Sequence, residues 1–378
     1  MLQPARRYAR ARLWLGRWRL GLLLLGLVGC AQLQYYVQAA QGQYALWSDA
    51  RPIEDWLGDP ATDPQLKARL EKALLIRRFA VQELGLPDNA SYRNYAALSR
   101  PFVLWNVVAT PEFSLEPLRW CFPIAGCVSY RGYYSKDDAQ AFAAGLREEG
   151  KDVQVGGVPA YSTLGWFSDP LLSTFIHYSD AELARMIFHE LAHQVAYVPG
   201  DSTFNESFAT AVEEAGLERW LELYGNEAMR AAYVQYNARR QAFLALLITH
   251  RNMLEQLYAE KSSARHKRTR KAAIFQHLQS EYQLLKTSWG GYAGYDRWFA
   301  EPLNNAHLSA VGTYHELLPA FRNLLKQERT FVRFYAAVQN LASFDLPQRQ
   351  QRLQQLSPPV MLHADNASQS VSSAEPSK

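Results

Sequence analysis

Residues 179–214 read SDAELARMIFHELAHQVAYVPGDSTFNESFATAVEE. Ser179 followed by Glu182 is a capping box, a hydroxyl and a carboxylate three residues apart that satisfy the free N–H groups opening a helix. Ala181, Leu183, Ala184, Met186, Ile187, Phe188, Leu191, Ala192, Val195 and Ala196 make that helix apolar almost all round, which predicts burial. Inside it, His189, Glu190, Leu191, Ala192 and His193 form HExxH. Histidines at i and i+4 share one helix face and can hold one metal ion together. Two imidazoles and a carboxylate in a buried helix are costly unless they are paired or bind a cation. The expectation is a zinc site on His189 and His193, with Glu190 beside it as general base.

A catalytic zinc takes a third protein ligand and keeps one position open. A metzincin would carry Gly three residues and His or Asp six residues after the second histidine, but Ala196 and Pro199 stand there, which excludes that class. The downstream carboxylates are Asp201, Glu206, Glu213 and Glu214.

Upstream of this stretch, Leu66, Leu70, Leu74, Leu75, Phe79 and Leu84 recur at helical spacing over residues 64–85, before the Gly85, Leu86, Pro87 stop. Residues 102–166 change character, with β-rich runs at 103–108, 128–134, 153–158 and 161–166 and one helix at about 136–148. Downstream, long helices are predicted at about 226–260, 266–287 and 305–341. The fold class is therefore α+β: a small mixed β-sheet subdomain at about 100–167, then a largely helical zincin-type domain. Its active-site helices are expected at about 180–222 and its helical C-terminal part at 226–356, the whole domain covering 30–364. Residues 365–378, serine-rich and without aromatics, read as a disordered tail. Lys261, Arg265, Lys267, Arg268, Arg270 and Lys271 form a basic cluster that reads as a solvated helix face, with anionic lipid as the sharper alternative.

At the N-terminus, six arginines precede the apolar run Leu20–Leu27, a charged region and a short hydrophobic region that together read as a signal peptide over residues 1–29. The run is too short to span a bilayer unaided. It ends in Leu27, Val28, Gly29, Cys30, which resembles the lipobox of bacterial lipoproteins and implies acylation of the Cys30 thiol. The alternative is an uncleaved anchor with an incidental cysteine. With Ala31 and no Asp after the cysteine, lipoprotein sorting signals imply the outer membrane, facing the periplasm. Loss of residues 1–29 takes the formal charge from +4 to −2, so the basicity belongs to the signal and nucleic acid is not an implied partner. Cys121 and Cys127 are the remaining cysteines, and in an exported chain they are expected to close a small disulfide loop, with two free buried thiols as the alternative.

The segment Asn205, Glu206, Ser207, Phe208, Ala209 resembles the NExFA element of gluzincin aminopeptidases, whose glutamate is the third zinc ligand on a helix antiparallel to the HExxH helix. The resemblance implies Glu206 as that ligand. The connection from His193 is shorter than in those enzymes, and Glu213 lies twenty residues after His193, near the thermolysin-like spacing, so it competes for the role. Positions 206, 210 and 213 share a helix face, so Glu213 also fits an outer carboxylate accepting from the non-ligating nitrogen of a zinc-bound histidine. WCFPIAGCVSYRGYY at 120–134, AYSTLGWF at 160–167, HELAHQ at 189–194 and FNESFAT at 204–210 are similar to the predicted zinc aminopeptidase family of bacterial lipoproteins. That resemblance implies one zinc ion per chain, a peptide or protein substrate, and action in the cell envelope through the anchor at Cys30. Gluzincins carry a later Tyr or His for the oxyanion; Tyr292, Tyr295, His307 and Tyr314 are available, and spacing selects none. The GxMEN strand that grips a free amine in well-known gluzincin aminopeptidases is missing, and Asp169 is available for that task. Envelope endopeptidase action stays open, as does a non-catalytic, zinc-stabilised scaffold or assembly lipoprotein. Glu190 favours the enzyme, since a structural site has no use for it.

Overall fold

The computed structural model describes residues 33–122, 126–309, 311 and 317–357. Cys30, the signal region and the tail at 365–378 lie outside the described residues. Among the described residues, no helix is long and apolar enough to cross a membrane.

A helix at 33–49 (α1) and the short helix α2, Ile53–Gly58, precede α3, Pro64–Gln82. Asp63 caps α3 by accepting from the Gln65 and Leu66 amides, and Pro64 stands at N1, where its missing N–H costs nothing. Two small sheets follow. The first orders β1 (Arg51–Pro52), β2 (Asn94–Ala96) and β8 (Leu171–Leu172), with β2 antiparallel to β1 and parallel to β8. The second places β3 (Leu104–Thr110) between β6 (Arg131–Tyr133) and β7 (Asp152–Val158), all antiparallel. A helix, α4 (Lys136–Glu148), covers the second sheet, with Ala139, Ala143 and Leu146 packed on Trp105, Val107 and Val153. Strands β4 (Trp120–Phe122) and β5 (Gly126–Val128) make a hairpin in which Cys121 opposes Cys127, and a disulfide joins them.

The run at 161–166, expected as a strand, is instead a turn. Leu164 and Gly165 both have left-handed backbone (φ 58° and 80°), and Asp169 fixes the turn by accepting from the Thr163 amide at 3.0 Å. Left-handed residues break the extended ladder, so β-rich composition loses to local turn chemistry here.

After β8 the chain is helical. The HExxH helix is α5 (Asp180–Ala192), and α6 (Ser202–Tyr224) packs against it. Gly216 lets these helices close on α3: a Cβ there would stand 2.7 Å from Leu84 and 2.9 Å from Phe188. Two long helices, α7 (Glu227–Ala259) and α8 (Ala264–Ser288), form a hairpin with its own core of Phe243, Leu247, Leu254, Leu278 and Tyr282. The segment 305–341, expected as one helix, is divided into α9 (Asn305–Ser309), Leu318–Glu328 and Phe331–Ala342. The last break is Arg329, whose left-handed backbone (φ 64°) stops the helix that Thr330 then restarts as N-cap. Leu346–Leu356 completes the helical part. The main core gathers α3, α5, α6 and these C-terminal helices around Phe79, Phe188, Phe208, Trp220, Phe321 and Phe334.

Part of the basic cluster has a structural task. Arg268 pairs with Glu112 at 2.6 Å and Lys271 with Asp152 at 2.5 Å, fastening α8 to the ends of β3 and β7.

Candidate metal centre

The helix α5 begins as its sequence demands: the Ser179 hydroxyl accepts from the Glu182 amide at 3.3 Å. It ends at His193, so His189 and Glu190 sit in its last turn and His193 at its C-cap. The chain then returns through a short connection that Asn205 clamps, accepting from the Val198 amide at 2.8 Å and donating to the Val198 carbonyl at 2.9 Å. Asp201 caps α6 through the Phe204 amide and is itself held by the nearly buried Arg349 at 2.8 Å. These contacts fix the rotation of α6 and turn Glu206 toward the histidines.

The disulfide hairpin leans on the same connection. Gly126 lies so close to Gly200 that a Cβ would stand 2.7 Å from the Gly200 amide nitrogen. Arg119 bridges the two segments, donating to the carbonyls of Cys127 at 2.8 Å and Gly200 at 2.6 Å.

Three side-chain atoms converge: the Nε2 of His189 lies 3.2 Å from Glu206 Oε2, the Nε2 of His193 lies 3.7 Å from the same oxygen, and all three ligand atoms lie within 4.8 Å of one another. Behind His189, Glu213 Oε2 is 3.0 Å from Nδ1. Glu213 in turn accepts from Arg185 Nε at 2.6 Å, and Arg185 donates to the Tyr236 hydroxyl at 2.7 Å. Glu206 therefore faces both imidazoles, whereas Glu213 touches only the outer nitrogen of one. Glu190 is buried beside them.

The electrostatics follow from this packing. Burial raises the Glu213 carboxyl, but Arg185 and then His189 outweigh it and bring it down to about 2, so Glu213 is an ionised acceptor. The ionised Glu213 accepts a hydrogen bond from the Nδ1–H of His189, so a neutral ring would turn the Nε2 lone pair toward the Glu206 carboxylate, acceptor against acceptor. Positive charge at Nε2, from a proton or from a metal ion, resolves that opposition. Burial would lower His189, yet its hydrogen bonds to Glu206 and Glu213 hold it well above its ordinary value, the response of an imidazole in the field of two carboxylates. Burial pushes His193 down to about 4 against the pull of Glu206, so this ring is neutral and offers a lone pair. Two imidazole nitrogens and one carboxylate oxygen within 4.8 Å of one another fit a divalent metal ion. Burial raises the Glu190 carboxyl to about 7, His189 opposing and Glu206 adding to the rise.

The group lines a cavity of about 360 Å³. Leu104, Asn106 and Val108 of β3 form one wall, and Tyr130, Tyr161 and Tyr197 bring hydroxyl-bearing rings. Tyr130 follows the disulfide hairpin; its side chain is partly exposed, and desolvation at the cavity, then Glu206, raises its hydroxyl above the ordinary tyrosine range. The Tyr161 hydroxyl is engaged with Tyr134 at 2.6 Å. Sequence spacing singles out none of these tyrosines, because strand pairing and the hairpin's position bring them in from distant parts of the chain. Of the residues considered for the oxyanion, Tyr292 lines a different cavity with Arg185 and Arg239, Tyr295 stacks on Phe243 in the α7–α8 core, and His307 bonds to Asn304. Tyr314 lies outside the described residues. Asp169 is buried and occupied by the Thr163 amide and the Ser162 hydroxyl.

A protein-family model described as "Putative aminopeptidase" matches residues 34–353. No curated protein and no solved structure matches the chain significantly.

Proposed function

The chain belongs to that "Putative aminopeptidase" family, and on this premise we propose that it is a zinc-dependent peptidase of the bacterial envelope acting as an aminopeptidase. The observation that carries the proposal is the convergence of His189 Nε2, His193 Nε2 and Glu206 Oε2 beside Glu190 in one cavity. His189, His193 and Glu206 would hold the ion. Zinc bound there supplies Lewis acidity, polarising the scissile carbonyl and making water a better nucleophile at neutral pH.

The remaining work belongs to the chain. Glu190, buried beside the two histidines and lining the same cavity, is placed to accept a proton from the attacking water and return it to the leaving amine. Glu213, backed by Arg185, fixes the tautomer and ring orientation of His189. The Tyr130 hydroxyl, which lines the cavity with His189, Glu190, His193 and Glu206, is the donor assigned to the oxyanion. The β3 wall gives an extended peptide an apolar face with one polar position, Asn106, whose Oδ1 is buried without a protein partner and can accept a peptide N–H.

One observation favours a second reading, endopeptidase action. Among the described residues lining the cavity, Glu190 and Glu206 are the carboxylates, and no further one is placed to pair with a substrate ammonium group. Digestion of matched free and N-acetylated peptides, combined with zinc analysis, tests both readings. An aminopeptidase cleaves only the free series; equal cleavage moves the assignment to an endopeptidase; a zinc-loaded chain that cleaves neither leaves the scaffold. The proposed lipid anchor at Cys30 is tested by mass spectrometry of the mature N-terminus, where an unmodified terminus at another residue refutes it without touching the zinc site.

A further inference from the structure

Far along the chain from the cavity, α7 and α8 run as a hairpin, and between them His250 meets His277 and Glu281. We propose that these three side chains form a second metal site, taking a divalent d-block ion such as zinc that cross-links the two helices. His277 and Glu281 stand at i and i+4, the spacing that puts two ligands on one helix face. His250 is fully buried, and its Nδ1 lies 2.9 Å from the Leu246 carbonyl. A carbonyl only accepts, so Nδ1 carries the proton and Nε2 presents its lone pair to α8.

From that nitrogen, His277 Nδ1 is 3.1 Å away and Glu281 Oε2 is 3.5 Å away. Bonds of about 2.0–2.1 Å in tetrahedral geometry separate neighbouring ligand atoms by about 3.3–3.5 Å, so small side-chain adjustments complete the set. The Glu281 carboxylate lies near both rings, Oε2 at 3.5 Å from His250 Nε2 and Oε1 at 3.6 Å from His277 Nε2, and one ligand atom from each of the three residues lies within 4.8 Å of the others. Both carboxylate distances are longer than a charge-assisted hydrogen bond, and the 3.1 Å contact between the rings is an imidazole–imidazole hydrogen bond whose proton a bound ion would replace. Arg251, next to His250, is turned to Glu255 at 2.9 Å and to the Leu308 carbonyl, away from Glu281. His277 and Glu281 are exposed side chains, so the ion would exchange with solvent and keep water in its remaining position. A carbonyl-fixed imidazole on one helix and an i, i+4 pair on the next amount to a clamp across the hairpin.

The proposal stands apart from the peptidase reading, because it shares no residue with it. The test is zinc titration of the chelator-stripped chain, read by stoichiometry and by amide exchange over α7 and α8. Two zinc ions per chain are expected, the second slowing exchange in both helices. His277→Ala and Glu281→Gln, both changing exposed side chains, should each lower the stoichiometry to one and remove that slowing while peptide turnover stays at the wild-type level. Glu206→Ala should still bind one zinc, lost on adding His277→Ala. A zinc stoichiometry and an amide exchange over α7 and α8 that His277→Ala and Glu281→Gln leave at their wild-type values overturn the second site.

Discussion

Two groups of identical composition, His189, His193 and Glu206 on one side and His250, His277 and Glu281 on the other, occupy different settings in this molecule. The first is enclosed, lies at a cavity of about 360 Å³, and has an outer layer in which Glu213 and Arg185 fix His189. It also has a carboxylate to spare, Glu190. The second lies on a helix hairpin with two of its three side chains exposed, and a backbone carbonyl and the facing His277 orient its buried histidine. The residue types are the same, so under the two proposals what separates chemistry from clamping is the surroundings: a base within reach, a cavity for substrate, and burial that strengthens every charge interaction.

The comparison can be broken by substitution. The largest effect is expected from Glu206→Ala, which should release zinc from the cavity site and abolish turnover; a variant that keeps this zinc removes Glu206 from the ligand set. Glu190→Gln should retain both the fold and the zinc and lower turnover by about 10²- to 10⁴-fold, the usual contribution of a general base. Wild-type hydrolysis by the zinc-loaded variant would remove its role. Tyr130→Phe should lower kcat by about 10²-fold with little change in KM, as for loss of one oxyanion donor; a change confined to KM would make Tyr130 a binding residue only. Glu213→Ala should weaken zinc binding by about 10- to 100-fold, the cost of an outer partner, measured by competition with a chromogenic chelator. Greater zinc loss here than in Glu206→Ala would exchange the two roles. The smallest effect on catalysis belongs to the hairpin: Glu281→Gln should leave turnover where it is, and a fall in kcat would show that the two groups are coupled.

The HExxH helix was legible because its determinants are local. Capping box, apolar periodicity and i, i+4 histidines all lie within residues 179–196, and the helix forms there as α5, ending at Ala192 with His193 as C-cap, short of the Val195 and Ala196 counted in it from periodicity. Resemblance pointed to Glu206, and the structure shows why the preceding Asn205 matters: it clamps the short connection and thereby aims the helix that carries the glutamate. The strand expected at 161–166 was misread because alternation of apolar residues carries no record of left-handed φ at Leu164 and Gly165. The helix expected over 305–341 was likewise interrupted at Arg329, a residue whose identity gives no warning of an αL stop.

By itself, the sequence determined the α+β class, the buried helix with its histidine pair and neighbouring glutamate, and the candidate carboxylates on the helix after it. All of these follow from periodicity and short-range spacing, where geometry is fixed by the helix itself. Only the tertiary structure decided that Arg185 backs Glu213, that Tyr130 reaches the cavity from the disulfide hairpin, and that His250 meets His277 and Glu281. Each of these contacts joins separate elements, so its existence depends on how helices and strands pack against one another, a relation that no single stretch of chain encodes.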